Sequence, residues 1–176
     1  KQAAKEATQA LIDDKRTNIL LITSEDYVSV GNLRTEGYLE ALKDNDITPD
    51  SDLIIKVKDK KGSQLEMSFL ENELEKVLKL KKVDAILGVN EIYAGSALKV
   101  LKKNKIKVPD QIAIISFTDG VISRYSSPSL STISQHGEIM GERAAKLLIN
   151  KLTGKTNSNE HKTEIINCSL IKRESS

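Results

Sequence analysis

Tryptophan is absent from this 176-residue chain, and aromatic residues make up only 3% of it. A core must therefore be built mostly from Ile, Leu, Val and Ala. The one cysteine, Cys168, excludes an internal disulfide framework and fits a reducing cytoplasm. It stands in an alternating stretch and reads as a small core or sheet residue. The two histidines, His136 and His161, lie far apart and lack metal-ligand spacing. No GxSxG, Walker A or GxGxxG run is present, and Cys168 has no evident His partner. No catalytic set is visible, so the chain reads as a non-enzyme without cofactor or metal. No apolar run approaches the ~20 residues that a membrane helix needs, and no signal-peptide pattern is present. Lys1 opens inside an amphipathic helix pattern without a starting Met, as expected of a piece of a longer chain. Charge is nearly balanced at +2, and the Lys-rich runs 79–82 and 102–107 lie among acids. Such runs are solvated helix faces rather than a stripe that reads nucleic acid.

What is present is a repeated strand–helix rhythm. Ala3, Ala7, Ala10 and Leu11 mark one face of an opening helix, and residues 18–23 read as a strand. A polar turn at Ser24, Glu25 and Asp26 leads to a helix marked by Leu33, Gly37, Tyr38, Ala41 and Leu42. A strand at 53–57, a charged loop at 58–63 and a helix marked by Leu70, Leu74, Val77 and Leu78 follow. The alternation predicts an α/β fold, a doubly wound parallel sheet with right-handed crossovers. After Phe117 the rhythm breaks. Residues 120–131 read as a loop, 130–133 as a short strand, and Met140, Ala144, Leu147, Leu148 and Leu152 as a helical stripe closed by Gly154. Residues 155–161 are a polar link, 163–171 a last strand and 172–176 a tail.

The segment 83–133 is the most informative. Strands at 85–89 and 112–117 flank a helix whose apolar residues are Ala94, Ala97, Leu98 and Leu101. Asn90 follows the first strand, and Thr118 and Asp119 follow the second. In a parallel sheet, ligands bind in the crevice outside the carboxyl ends of the strands. These three residues therefore stand where a small molecule would be read. Each also has a structural reading. Asn90 is a favoured helix N-cap, Glu91 a first-turn acid stabilised by the helix dipole, and Asp119-Gly120 a turn pair.

The ordered set VDAILGVNEIYAGSALKVLKKNKIKVPDQIAIISFTD, RYSSPSLSTISQ and MGERAAKLLI resembles the effector-binding domain of lactose-repressor/galactose-repressor (LacI/GalR) family transcription regulators. The likeness continues more loosely upstream, through the Arg34-x-x-Gly37-Tyr38 helix, and thins between residues 50 and 82. It implies a periplasmic-binding-protein-like type I lobe with a partial second lobe. On that plan residues 1–129 are the C-terminal lobe, 130–158 belong to the N-terminal lobe, and 159–176 return as strand and tail. It also implies a small effector, a sugar or sugar derivative, held between lobes in a cytoplasmic homodimer. DNA would be bound by a helix-turn-helix outside these residues. A periplasmic sugar-binding protein of an uptake system is the alternative, and an α/β enzyme using the same crevice is a third reading.

The resemblance assigns ligand contacts to Arg34, Asn90, Thr118 and Asp119, with Ser24, Asp26, Gln64 and His136 as further candidates. A guanidinium at Arg34 offers a fork of donors to hydroxyls or carboxylates. Many relatives carry Asp where this chain has Thr118, and the Asp here is displaced by one residue to Asp119. Gln64 also reads as an exposed polar residue near a helix start, and His136 as a surface histidine.

Overall fold

The computed structural model describes residues 1–25, 29–58, 64–154 and 162–176; of residues 25, 58 and 64–66 it describes the backbone alone. The element order is α1 (Gln2–Asp13), β1 (Ile19–Glu25), α2 (Ser29–Asp44), a 3-10 turn (Ser51–Leu53) and β2 (Ile54–Lys58). Then come α3 (Gln64–Leu80), β3 (Ala85–Gly88), α4 (Glu91–Lys103), β4 (Ala113–Phe117) and α5 (Val121–Tyr125). The last three are β5 (Ser131–Ser134), α6 (Gly137–Leu152) and β6 (Ser169–Ile171).

Ile19, Leu20, Leu21 and Ile22 are all buried in succession, as are Ala85, Ile86 and Leu87. A strand buried at every position has both faces covered, which is the signature of a parallel sheet between helices. The described strands form one sheet in the order β2-β1-β3-β4-β5-β6. All pairings are parallel except β5 with β6. The chain winds outward from β1 to β2, then crosses back to β3, so the sheet's switch point lies between β1 and β3. The helices pack in two pairs, α1 with α2 and α3 with α4. Ala4, Ala7 and Leu11 of α1 and Tyr38, Ala41 and Leu42 of α2 are buried, with the Tyr38 hydroxyl donating to Ile19 O at 2.8 Å. Lysines of both Lys-rich runs pair with acids, Lys81 with Asp50 and Asp52, and Lys103 with Glu75 across the α3–α4 pair.

Three expectations are corrected. The 120–131 segment is not all loop. It contains the short helix α5, which packs on α4. The last strand shrinks to Ser169–Ile171 and runs antiparallel to β5. Residues 172–176 are no free tail: Ser175 is fully buried, donates from Oγ to Ile114 O at 2.7 Å, and accepts from the backbone N–H of Ser131 and Ile114. Hydropathy cannot reveal this, because what holds Ser175 is hydrogen bonding of its hydroxyl and carbonyl to the backbone of β4 and β5.

The helix α6 stands apart from the rest: none of its residues is buried. Leu148 is 59% and Leu152 78% exposed, and Met140 and Ile149 are each more than half exposed.

Candidate functional site

The switch point is where the sheet opens a crevice at its carboxyl ends. The carboxyl ends of β1, β3 and β4 lie side by side there. Asn90 caps α4: its Oδ1 accepts the Tyr93 N–H at 2.8 Å. The structural reading of this residue therefore holds, and it leaves the amide nitrogen free of that duty. Arg34 rises from the first half of α2. Its Nη1 donates to Val89 O at 2.6 Å, and its guanidinium lies 4.2 Å from the centre of the Phe117 ring. One side chain thus joins the residue before Asn90 to the residue before Thr118. Burial holds the Arg34 pKa below its ordinary value, with Cys168 nearby opposing that shift. Cys168 is half-buried and packs against the core.

Thr118 is exposed and carries a φ of 79°, a left-handed conformation rare for a β-branched residue. Its neighbours fix it there. Its N–H donates to Ile133 O at 3.1 Å, and its carbonyl accepts from Ser123 Oγ and Thr132 Oγ1, each at 2.9 Å. Asp119 turns away into a different task. Its Oδ2 accepts from Arg124 Nη2 at 2.9 Å, and its Oδ1 accepts from Arg173 Nη2. Arg173 also donates to Leu130 O at 2.8 Å, so Asp119 clamps the C-terminal segment to the β4–α5 loop. The turn pair expected at Asp119-Gly120 is instead an ion-pair anchor followed by the start of α5. Glu91 does more than sit in the first turn of α4. Its Oε2 accepts from the Ser123 N–H at 3.1 Å and Ser123 Oγ at 3.2 Å, capping α5 from outside. A Cβ at Gly120 would lie 2.2 Å from Glu91 Oε1, so a side chain there would push the Glu91 carboxylate out of its place.

A cleft of about 490 Å³ opens beside Thr118. It is lined by Thr118, Asp119, Arg124, His136, Met140 and Ile171, among others; Arg34 and Asn90 are not in its wall. His136 has a φ of 52° and begins α6, and its Nε2 lies 3.0 Å from Ser169 Oγ. The contact ties the chain entering α6 to the chain returning in β6. Ser24 ends near the rim of β1 and is half-buried. Asp26 lies outside the described residues, as does His161; Gln64 opens α3, but its side chain is not described. Sequence reasoning missed Glu91's second role and the Arg124–Asp119–Arg173 clamp. Their partners are remote in sequence, and no local pattern announces them. Among the described residues no cluster of three His, Cys, Asp or Glu could hold a metal ion.

Burial alone would raise the Asp119 carboxyl, but hydrogen bonds from Arg124 and Arg173 outweigh it and hold its pKa below the usual carboxylate value. A carboxylate whose pKa is lowered by folding stabilises the fold above its unfolded pKa of roughly 3.9. That stability is lost as pH falls through the lower folded value. Asp119→Asn is expected to cost about 1–2 kcal/mol at pH 7. The difference from the parent should vanish in urea unfolding curves measured near or below the folded pKa. A difference that persists unchanged there would assign the cost to something other than charge.

A family model for the periplasmic binding protein-like domain matches residues 8–176. The chain belongs to that family. Its relatives identify the branch as LacI/GalR. The chain is 32% identical over 143 residues to the HTH-type transcriptional regulator MalR of Clostridium butyricum, covering 81% of this chain and 40% of that one. It is 27% identical over 152 residues to the HTH-type transcriptional regulator CelR of Thermobifida fusca, covering 86% and 43%. Among solved structures, a transcriptional regulator CelR–cellobiose complex superposes with a TM-score of 0.83 at 26% identity, over 99% of this chain and 51% of that one. The chain spans less than half the length of the curated relatives it matches. No helix among the described residues is long and apolar enough to cross a membrane.

Proposed function

We propose that this chain is the ligand-sensing part of a LacI/GalR-type transcriptional regulator that works in the cytoplasm as a homodimer. A small effector, a sugar or sugar derivative, binds between two lobes at the carboxyl ends of β1, β3 and β4. Residues 1–129 form the C-terminal lobe, 130–158 belong to the N-terminal lobe, and 159–176 return. Arg34, Asn90 and Thr118 read the effector, and DNA is bound by a helix-turn-helix outside residues 1–176. The observation that carries this reading is Arg34, which joins the ends of β3 and β4 beside the switch point. The effector acts because it binds one lobe arrangement better than the other, and it can shift that equilibrium only by its difference in affinity. The regulators among the relatives favour this over a periplasmic sugar-binding protein.

The test is a thermal-shift screen of sugars and phosphosugars on the full-length protein, followed by operator binding with and without each hit. A stabilising ligand that also changes operator affinity supports the reading. A full-length chain that opens with a secretory signal peptide, with no helix-turn-helix, sinks it.

A further inference from the structure

Among the described residues, Lys15, Asp46, Lys105, Thr118 and His136 are the non-glycine residues with a positive φ. Lys15, Asp46 and Lys105 each stand just past a helix end, where the left-handed form closes the last turn. His136 stands at the start of α6. Thr118 is different. It follows a strand, its side chain is β-branched, and no helix end calls for its φ of 79°. A conformation of this kind persists only where the surroundings force it, and such places cluster at functional sites.

Two buried hydroxyls do the forcing. Ser123 Oγ on α5 and Thr132 Oγ1 on β5 both donate to the Thr118 carbonyl, each at 2.9 Å. Both residues are fully buried. A carbonyl oxygen has two lone pairs and takes both donors. Each hydroxyl has one proton and a second acceptor within reach. For Ser123 it is Glu91 Oε2 at 3.2 Å, and for Thr132 it is Ser116 O at 3.2 Å. In both cases the Thr118 carbonyl is nearer. Glu91 does not depend on the Ser123 hydroxyl, because the Ser123 N–H already donates to it at 3.1 Å. If Thr118 relaxed to an ordinary backbone form, its carbonyl would swing away, and each hydroxyl would turn to its second acceptor. The buried groups are paired in either arrangement. Strain favours the relaxed form and the shorter hydrogen bonds favour the strained one, so the two lie close in free energy.

We propose that Ser123 and Thr132 are positioning residues of the effector site, whose hydroxyls hold Thr118 in the left-handed form that binds the effector. This rests on the ligand-sensing reading above and adds to its site two residues that do not touch the ligand. Apparent affinity is then the intrinsic affinity scaled by the fraction of molecules with Thr118 in that form.

The test is calorimetry on the full-length protein with glucose, galactose, maltose, cellobiose and glucose 6-phosphate as probes. For whichever probe binds the parent, Thr132→Val keeps the shape of the side chain and removes its proton. It should weaken binding by about fivefold, the net worth of one hydrogen bond. Thr132→Ser keeps the hydroxyl and should bind as the parent does. Should Thr132→Val fold poorly, Ser123→Ala takes its place with the same expected loss. The deciding arm is a double-mutant cycle with Thr118→Asn, because asparagine adopts the left-handed form far more readily than threonine. In that background Thr132→Val should cost less than about twofold. If Thr118→Asn abolishes binding, Thr118→Gly serves as the background, since glycine takes a positive φ without strain. If neither background binds, the single variants decide. A Thr132→Val protein that binds as tightly as the parent overturns this inference and leaves the ligand-sensing reading standing. So does an equal loss in the Thr118 and Thr118→Asn backgrounds, which would separate Thr132 from the backbone at Thr118. A Thr132→Ser variant as weak as Thr132→Val would assign the effect to the methyl group and overturn it too. If none of the five probes binds the parent, the ligand-sensing reading loses its support and this inference falls with it.

Discussion

Replacing Gly37 by valine should cost about 3 kcal/mol or more of folding free energy, the upper range for forcing atoms into a packed interior. Gly37 sits mid-helix in α2, where glycine by itself is worse than alanine by about 1 kcal/mol. The position is held by α1. A Cβ there would lie 2.3 Å from Lys1 O, 2.9 Å from Lys5 N and 3.0 Å from Ala4 Cβ. The first two are backbone atoms of a helix, so no side-chain rotation relieves the clash. The two helices must part. Parting them strips contacts from Ala4, Ala7 and Tyr38 together, all of which are buried. For a chain of this size the melting temperature should fall by about 6–12 °C. Valine adds two branches to the offending carbon, so it should be worse than alanine. Gly141 is the control. It is also mid-helix, in α6, but a Cβ there meets nothing within 4 Å. Gly141→Ala should leave the melting temperature unchanged or slightly raised. Equal losses at both glycines would show that helix packing is not what decides.

Much of this architecture was legible beforehand. The alternation of short apolar strands with 3.6-period stripes is a direct consequence of burial on both faces of a sheet, and the periodicity marks Ala94, Ala97, Leu98 and Leu101 without help from the structure. Asn90 was legible as a cap because short polar side chains satisfy helix N-termini wherever strands turn into helices. Arg34 was a different case. Nothing local distinguishes one arginine on a helix, and only the family resemblance pointed to it. The geometry at Val89 and Phe117 gives the physical reason it stands there. The clamp at Asp119 was illegible because Arg173 lies far along the chain, and an ion pair leaves no periodic trace. Helix α5 was illegible because five residues in a Ser-rich stretch carry too little pattern, and Glu91, which caps it, belongs to another element. The antiparallel direction of β6 was likewise hidden, since strand polarity depends on where the chain has travelled in between.

The amides of α6 should exchange with solvent at least about 100-fold faster than those of α4 when the 176-residue chain is studied alone. Local opening free energy scales with the buried contacts that opening must break. In α4, Tyr93, Ala94, Ala97, Leu98, Val100 and Leu101 are buried, and the helix opens only with the core. In α6 no residue is buried, and no side chain caps its N-terminus. A helix of this length held by its own hydrogen bonds is marginal in water. Substitutions should show the same division. Leu101→Ala should cost about 2–5 kcal/mol, as large-to-small changes in a core do. Leu148→Glu should change the stability of the 176-residue chain by less than about 0.5 kcal/mol, as surface changes do. The full-length protein should behave differently. If the stripe Met140, Leu147, Leu148 and Leu152 packs on a second lobe, Leu148→Glu buries an unpaired charge there and becomes costly. The comparison therefore tests the division into lobes with one substitution in two contexts. Strong protection of α6 in the 176-residue chain, together with a cost at Leu148 equal in both, would mean the helix is held by these residues alone. The stripe would then have no need of a second lobe, and residues 130–158 would belong to the same unit as residues 1–129.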